Sequence, residues 1–510
     1  MSYLVAVVLL AAAAASGLRW LRVVQREHYL GGSATRFALR WWTCDVANVV
    51  LIGVVVLSLL ATFISAYAGV AVAIVLIVGP FGLPLKGSTS SLAWTDRLKR
   101  LTTIAGAIYL IIAVLCVVAL GGNTGIALLG LLSALVPVVI DVACIAAQPL
   151  EDKKMQPFID QAQRRLAAVS PRVVAITGSY GKTSTKNHLA DLLSGSVAVV
   201  PTPRSFNNRA GLARAVNEQL VEGTQVFIAE MGTYGPGEIA DLCSWCPPEI
   251  AVMTAIGPVH LERFGSLDVT LAAKTEITTN ASVVVLNADD ERLATLVTPL
   301  QAQGKRVIAV SAHRHDADVA LIADGDHFSL TIDGELRGAV HIPEGVQPSN
   351  VACAIGAAMA LGVDLAAIIP RIDALPAVQN RLTVAVAPSG VRIIDDTFNA
   401  NPAGAAAALR VLNAQHVEGR RVVVTPGMIE LGEKQREENE RFGARCAEIA
   451  DVVIVVRRTN RAALKRGVER IGGCELRLED SREEAVAWIR KNLGPGDCVL
   501  YENDLPDNYP

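Results

Sequence analysis

The stretch Ala175-Ile176-Thr177-Gly178-Ser179-Tyr180-Gly181-Lys182-Thr183-Ser184 constrains the fold of this chain more than any other. Val173 to Ile176 is an apolar run of strand length. A loop bracketed by two glycines follows, and Lys182-Thr183-Ser184 opens a helical pattern through His188 to Leu193. Strand, glycine loop and helix in that order read as a phosphate-binding unit. Gly178 and Gly181 let backbone N–H groups turn inward around phosphate oxygens, and the helix N-terminus adds partial positive charge. Lys182 is expected to neutralise β- and γ-phosphates, and the Thr183 hydroxyl to hold Mg²⁺. Gly178, Ser179, Gly181, Lys182, Thr183 and Ser184 thus form the expected site for a nucleoside triphosphate.

The rest of the chain divides by hydropathy. Its hydrophobic content is 52%, and the excess lies before Leu150. Five apolar runs are expected to cross a membrane: Leu4 to Leu18, two within Val46 to Pro84 divided near Ser65-Ala66-Tyr67, Leu101 to Leu120, and Thr124 to Ala147. Arg19, Arg22, Arg26, Arg36 and Arg40 follow the first run, and Lys86, Arg97, Lys99 and Arg100 precede the fourth. With those loops cytoplasmic, the N-terminus is outside and everything after Leu150 is in the cytoplasm, where ATP is available. Asp141, in the fifth run, is open to a transport or substrate-contact role but reads better as a carboxylate solvated near the cytoplasmic end. A formal net charge of −3 without a basic stripe argues against a nucleic-acid partner. Nine scattered cysteines suit a reducing compartment.

After a charged connector from Glu151 to Ser170, apolar strands alternate with helices, which predicts a mostly parallel sheet. Val226 to Glu230 is a strand ending in an acid, placed to coordinate Mg²⁺ opposite the phosphate loop. Ile250 to Thr254 leads to His260 at a strand exit, where ligands collect in such sheets. Lys274 and Glu276 are placed on the next helix, residues 309–342 read as a small antiparallel patch, and Asn350 is expected to cap a helix from Gln347 to Leu361. Pro376 to Leu382 reads as a linker to a second α/β unit with strands at Val391–Asp396, Arg421–Thr425, Val452–Val456 and Cys498–Tyr501. Cys243 and Cys246 have metal or redox spacing, but without a second pair they read as part of a structural turn. His313 and His315 read as a solvated loop.

From about Arg172 to Cys498 the chain resembles the Mur ligases, ATP-dependent amide-forming enzymes of bacterial cell-wall synthesis. The matching pieces are ITGSYGKTSTK, Asn207-Asn208 with Gly211, AEMG at Ala229–Gly232, GPVHLERFGS at Gly257–Ser266, Lys274 with Glu276, DDTFNANP at Asp395–Pro402 and MIELG at Met428–Gly432. The resemblance implies that Lys182 and Thr183 bind phosphates and Mg²⁺, and that Glu230 and His260 are metal ligands. It implies that Lys274 is carbamylated, and that Asn350, Arg381, Asp396 and Asn399 contact the nucleotide. It also implies a reaction in which a carboxylate attacks the γ-phosphate and an amine displaces phosphate from the acyl phosphate. Two features depart from the family: the soluble domain that holds a UDP-sugar is replaced by the apolar region, and a basic motif near the end is replaced by Tyr501 to Pro506.

The expected architecture is therefore a helical transmembrane region (1–150), a phosphate-loop α/β domain with a parallel sheet (151–378) and a Rossmann-like α/β domain (379–510). The expected activity is ATP- and Mg²⁺-dependent ligation of an amino acid or dipeptide to a small-molecule or lipid-linked carboxylate at the cell membrane, in peptidoglycan precursor synthesis. Two rivals stand beside it: a poly-amino-acid or capsule-type amide ligase, and a transporter driven by a phosphate-loop ATPase.

Overall fold

The computed structural model describes residues 2–84, 91–343, 346–376, 383–397, 401–506 and 508–510. The chain before the first strand is helical: α1 (Ser2–Arg26), α2 (Ser33–Thr43), α3 (Val46–Thr62), α4 (Gly69–Val78), α5 (Asp96–Val114), α6 (Gly122–Ala134) and α7 (Val136–Val169). Helix ends leave backbone groups unpaired, and side chains meet them here. Asp45 accepts from Asn48 N to start α3, and Thr95 accepts from Leu98 N to start α5. Arg19 donates to the carbonyls of Leu76, Ile77 and Gly79, closing the end of α4. Asn123 holds the turn between α3 and α4, donating to Phe63 O and Ile64 O and accepting from Ala66 N.

Helices stand at all five expected apolar runs, with two differences. The fifth run is broken at Leu135 into α6 and α7, which meet at a bend of 66°. Helix α2, absent from the sequence reading, is amphipathic and turns Phe37 and Trp41 inward. Among the described residues, α1 and the α5 segment extended to Leu120 are long and apolar enough to cross a membrane. Counting each bent helix pair as one span gives four. The described helices do not reach the expected five spans, because α4 has only ten residues. Asp141 is not solvated: it is buried and accepts from Ala34 N, Thr35 N and Thr35 Oγ1, so it caps the start of α2 from across the bundle. Helix α7 runs unbroken past Leu150 and packs Ile159, Ala162 and Leu166 into the core of the next domain.

The first sheet follows. Its elements are β1 (Arg172–Thr177), α8 (Lys182–Leu193), β2 (Val199–Pro201), α9 (Arg209–Gln219), β3 (Val226–Glu230), α10 (Glu238–Trp245), β4 (Ile250–Met253), α11 (Leu261–Phe264), α12 (Leu267–Thr275), β5 (Val283–Asn287), α13 (Glu291–Ala294), α14 (Val297–Ala302), β6 (Arg306–Ser311), β7 (Val319–Asp324), β8 (His327–Ile332) and β9 (Glu335–Val340). The strand order is β2-β3-β1-β4-β5-β6-β7-β8-β9, parallel up to β7 and antiparallel from β7 to β9. Strands β3 and β4 are buried along their whole length, as a sheet covered on both faces requires. Helices α8, α15 (Pro348–Ala360) and α16 (Leu365–Ile372) cover one face, and α7, α9 and α10 the other.

The second sheet is built from β10 (Thr383–Val386), β11 (Arg392–Asp396), α17 (Pro402–Ala414), β12 (Arg421–Thr425), α18 (Gln435–Ile449), β13 (Val452–Val456), α19 (Arg461–Ile471), β14 (Glu475–Glu479), α20 (Arg482–Asn492) and β15 (Cys498–Glu502). Its order is β10-β11-β15-β12-β13-β14, parallel except at the β10 edge. The expected linker lies almost wholly outside the described residues. The segment after β15 packs against the helical region: Leu505 and Tyr509 join a core with Trp20, Phe37, Trp41 and Leu98, and Asn508 donates to Glu27 while its carbonyl accepts from Trp41.

Candidate active site

The carboxyl ends of β1, β3 and β4 converge on one pocket, lined by Gly178, Ser179, Lys182, Asn207, Asn208, Tyr234, His260 and Lys274 among others. Its floor is set by close backbone approach. A Cβ at Gly178 would strike Thr254 Oγ1, and one at Gly181, whose φ is 81°, would strike the Asn350 amide. Thr254 Oγ1 donates to Tyr180 O, and Ser179 Oγ bonds Gly257, so the phosphate loop is fixed to the segment leaving β4. Lys182 Nζ folds back on its own loop, donating to Gly178 O at 2.7 Å. Asn350 sits over the loop rather than capping α15, whose N-cap is Gln347.

Behind the loop lies a buried carboxylate. Glu230 Oε2 accepts from Thr183 Oγ1 at 3.0 Å and stands 3.2 Å from Lys186 Nζ, while Glu230 Oε1 accepts from Asn207 Nδ2 at 3.0 Å. Lys186, fully buried and also bonded to Arg204 O, was not anticipated; its place one helical turn after Lys182 was the available signal. Hydroxyl and carboxylate oxygens are the hard donors that Mg²⁺ takes, usually with one or two carboxylates plus substrate phosphates, so Thr183 and Glu230 fit that ion. His260 does not join them: its Nδ1 pairs with Glu430 from the loop after β12, and its ring meets Tyr234 edge-on at 4.7 Å. Among the described residues no cluster of three His, Cys, Asp or Glu is arranged around a metal position.

Two lysines and an acid shape the pocket's electrostatics. Lys274 is buried, and desolvation followed by the charge of Lys182 holds its ammonium well below its ordinary pKa. A neutral amine beside Lys182 is the form that can react with CO₂. Glu430 is the acid at the mouth: burial pushes it up, but the His260 hydrogen bond and the charges of His260 and Arg263 outweigh this and leave it lowered. Glu276 belongs to the frame rather than the pocket, since its carboxylate accepts from Gly237 N and Ala240 N and caps α10. Asp396 stands at the tip of β11 outside the pocket lining, in register with Glu502. Arg381 and Asn399 lie outside the described residues. Ser184 is buried in the first turn of α8.

The remaining candidates are structural. Cys243 and Cys246 are buried in the core behind β3; burial pushes the Cys243 thiol up to about 12 and Cys246 higher still, the opposite of a reactive or ligating pair. His313 and His315 are exposed beside β6. An open groove on α18, lined by Glu433, Arg436, Glu437, Glu440, Arg441 and Arg470, carries surface ion pairs and none of this chemistry.

A phosphate loop against a buried acid, with a desolvated lysine and a second α/β domain touching the pocket's mouth through Glu430, defines a nucleotide-dependent group-transfer enzyme. Residues 176–358 match the Mur ligase middle domain and residues 380–501 the Mur ligase, glutamate ligase domain. The UDP-N-acetylmuramoyl-tripeptide–D-alanyl-D-alanine ligase of Mycobacterium leprae (strain TN) is 31% identical over 372 residues, covering 66% of this chain and 71% of that protein. The same-named enzyme of Bacillus subtilis (strain 168) is 27% identical over 361 residues, covering 69% and 77%. The MurF ligase from Thermotoga maritima, solved in complex with ADP, superposes with a TM-score of 0.56 at 27% identity, covering 69% of this chain and 80% of that one. The chain belongs to the Mur ligase family, and it is an ATP-dependent carbon–nitrogen ligase. Its phosphate loop is thereby that of a ligase and not of a transport ATPase.

Proposed function

We propose that this protein is a membrane-anchored ligase that uses ATP and Mg²⁺ to join the amine of an amino acid or dipeptide to an acceptor carboxylate in peptidoglycan precursor synthesis. The observation that carries the reading is the shared pocket of Lys182, Lys274 and His260, backed by the Thr183–Glu230 pair. The relatives are named for a tripeptide acceptor and a D-alanyl-D-alanine donor, which supports the same class of acceptor and amine here.

In this reading the acceptor carboxylate attacks the γ-phosphorus, forming a P–O bond while the bond to ADP breaks. The amine then forms the C–N bond and gives up a proton, while the acyl C–O bond breaks and phosphate leaves with that bond's electron pair. Both steps bring anions together, and fixed positive charge is the cheapest way to stabilise them in a site shielded from water. Lys182 supplies part of it, and Mg²⁺ held by Thr183 and Glu230 would supply more by neutralising phosphate charge. Lys274, held neutral by burial, is suited to carbamylation, which would turn an unfavourable Lys182–Lys274 pair into an attractive one. Arg381, Asp396 and Asn399 would reach the nucleotide from the second domain.

The anchor is the helical region. Val46, Val49, Val50, Val56, Leu57 and Leu60 on α3, and Leu110, Ile111, Val114, Leu115 and Val118 on the α5 segment, face outward with no protein cover. Water would leave that surface costly; a bilayer would not. The ends of α1 and α5 that meet are tied by Gln25 and Ala93, and this end faces the phosphate-loop domain. In this reading the first residues lie outside and the catalytic domains in the cytoplasm, with domain boundaries at about 150 and 378.

The test is ADP release by the full chain in detergent or nanodiscs with Mg²⁺ and candidate acceptors and amines. Release should depend on the acceptor, and Lys182→Ala should lower it by roughly 10²–10³-fold. Folded protein that releases no acceptor-dependent ADP would refute the ligase reading.

A further inference from the structure

The turn between α1 and α2 lies between the apolar bundle and the catalytic pocket. Gly32, with a φ of 84°, and the left-handed residues His28 and Tyr29 reverse the chain there. His28 stacks on Tyr234 at 5.3 Å, and Tyr234 lines the pocket and meets His260 at 4.7 Å. Two ring contacts therefore separate the end of α1 from the expected catalytic histidine. The start of α5 is fixed to the same turn: Gln25 exchanges hydrogen bonds with Ala93, Tyr29 Oη bonds Thr95 Oγ1, and Arg97 lies over the Tyr29 ring at 4.3 Å.

This junction concentrates unmatched positive charge. The neighbouring acids are already engaged: Glu27 with Arg263 and Asn508, Glu430 with His260, Asp96 with Lys99, and Glu151 with Arg100. Arg26, Arg36 and Arg97 form no ion pair with a carboxylate among the described residues. Arg97 lies over the Tyr29 ring and Arg36 N donates to Gly32 O, so both flank the turn that Arg26 enters. Burial, then the charges of Arg263 and Arg26, hold the His28 imidazole below its ordinary pKa, with Glu430 opposing and Arg97 adding. Arg26 ends α1 and Arg97 begins α5, the two helices long and apolar enough to cross a membrane, and Trp94 is exposed beside them as an interfacial aromatic. Cations at these ends would satisfy membrane topology alone. The contact of His28, in the same turn, with the pocket residue Tyr234 is what topology does not require.

We propose that Arg26, Arg36 and Arg97, with His28, bind the phosphate or diphosphate of a lipid-anchored acceptor and hold it so that its carboxylate reaches the Lys182–Lys274 pocket. The proposal rests on the reading of the protein as a membrane-anchored ligase. Guanidinium groups pair with phosphate oxygens at two points each. The lipid tail would lie along α1 and α5, and the pocket would receive only the far end of the head group.

The test uses the full chain in phosphatidylcholine nanodiscs with a polyprenyl diphosphate, its binding followed by ³¹P line broadening, with a fluorescent ATP analogue reporting nucleotide binding in the same sample. The wild type should bind the lipid, and the double variant Arg26→Gln/Arg97→Gln should bind it roughly 30-fold more weakly. Arg26→Gln alone, at an exposed position, should lose about fivefold, which keeps the test open if the double variant fails to fold. Arg26→Lys/Arg97→Lys should keep most of the binding. Equal binding by wild type and the Gln variants would overturn the site. Competition by inorganic pyrophosphate at the concentration of the lipid would overturn the lipid anchor. Lys182→Ala should lose nucleotide but keep the lipid, so a wild type that binds lipid without ATP would count against the ligase reading alone.

Discussion

The two sheets of the catalytic half share one plan and carry opposite charge at their tips. In the first, the exits of β1, β3 and β4 bring Lys182 and Lys274 into one pocket, and behind it Lys186 pairs with the buried Glu230. In the second, the neighbouring ends of β11 and β15 place Asp396 in register with the fully buried Glu502, with Thr425 Oγ1 donating to Glu502 at 2.8 Å. A parallel sheet places loops and ligands at its carboxyl ends in either case. What differs is the sign of the charge that the loops bury, and so the kind of group each tip can stabilise: phosphates at the first, a proton or a cation at the second.

The largest test of the contrast is Lys274. If its task is to become an anion beside Lys182, Lys274→Ala should lower turnover by roughly 10²–10³-fold, and acetate in the assay should restore part of it. Lys274→Arg should be as inactive and gain nothing from acetate, because a guanidinium keeps its proton and cannot be carbamylated. Rescue of the Arg variant, or equal activity of all three proteins, would show that the first tip needs only bulk at this position.

Glu502 tests the second tip. Burial raises its carboxyl to about 8, with the Thr425 hydrogen bond opposing and Asp396 adding. A carboxyl whose folded pKa lies above its unfolded value is most stable when protonated, so its contribution falls as pH rises from about 4.5 through 8. Glu502→Gln fixes the protonated form. In denaturation of the full chain in detergent, the variant should exceed the wild type by about 4 kcal/mol at pH 8 and by less than about 1 kcal/mol at pH 5. A constant difference across that range would remove the charge contrast between the sheets.

What the sequence revealed follows the range of the interactions. Local signals were sufficient for the phosphate loop, for strands such as Val226–Glu230 and Arg421–Thr425, and for the division of Val46–Pro84 into two helices near residue 65. Family motifs pointed to Lys274 and His260, which share the pocket. The misplaced residues depend on partners far along the chain. Asp141 is an acid in an apolar run until Ala34 and Thr35 supply their N–H groups, and Glu276 is a helix residue until α10 needs a cap. In the sequence Glu430 is one letter of a motif, because nothing local connects it to His260, 170 residues away. Helix α2 is hard to see in the sequence because Arg36 and Arg40 break the linear apolar run, although Ala34, Phe37, Ala38 and Trp41 share one buried face.

The smallest effect separates the sheets by acid instead of base. His188, on α8 beneath the phosphate loop, is buried with neither ring nitrogen hydrogen-bonded, and desolvation lowers its pKa to about 4. A base with a depressed folded pKa resists protonation in the folded state while the unfolded chain accepts a proton near 6.5. The first domain therefore keeps its full stability above about pH 6.5 and loses it as pH falls toward 4, the reverse of the Glu502 effect. Relative to His188→Leu, which has no proton to take up and no unpaired nitrogens, the wild type should lose about 2 kcal/mol between pH 7.5 and pH 5. Thermal melts of the two proteins at those pH values measure it. Parallel pH profiles would mean that a water or a moved side chain solvates the imidazole, and that acid sensitivity in this domain comes from elsewhere.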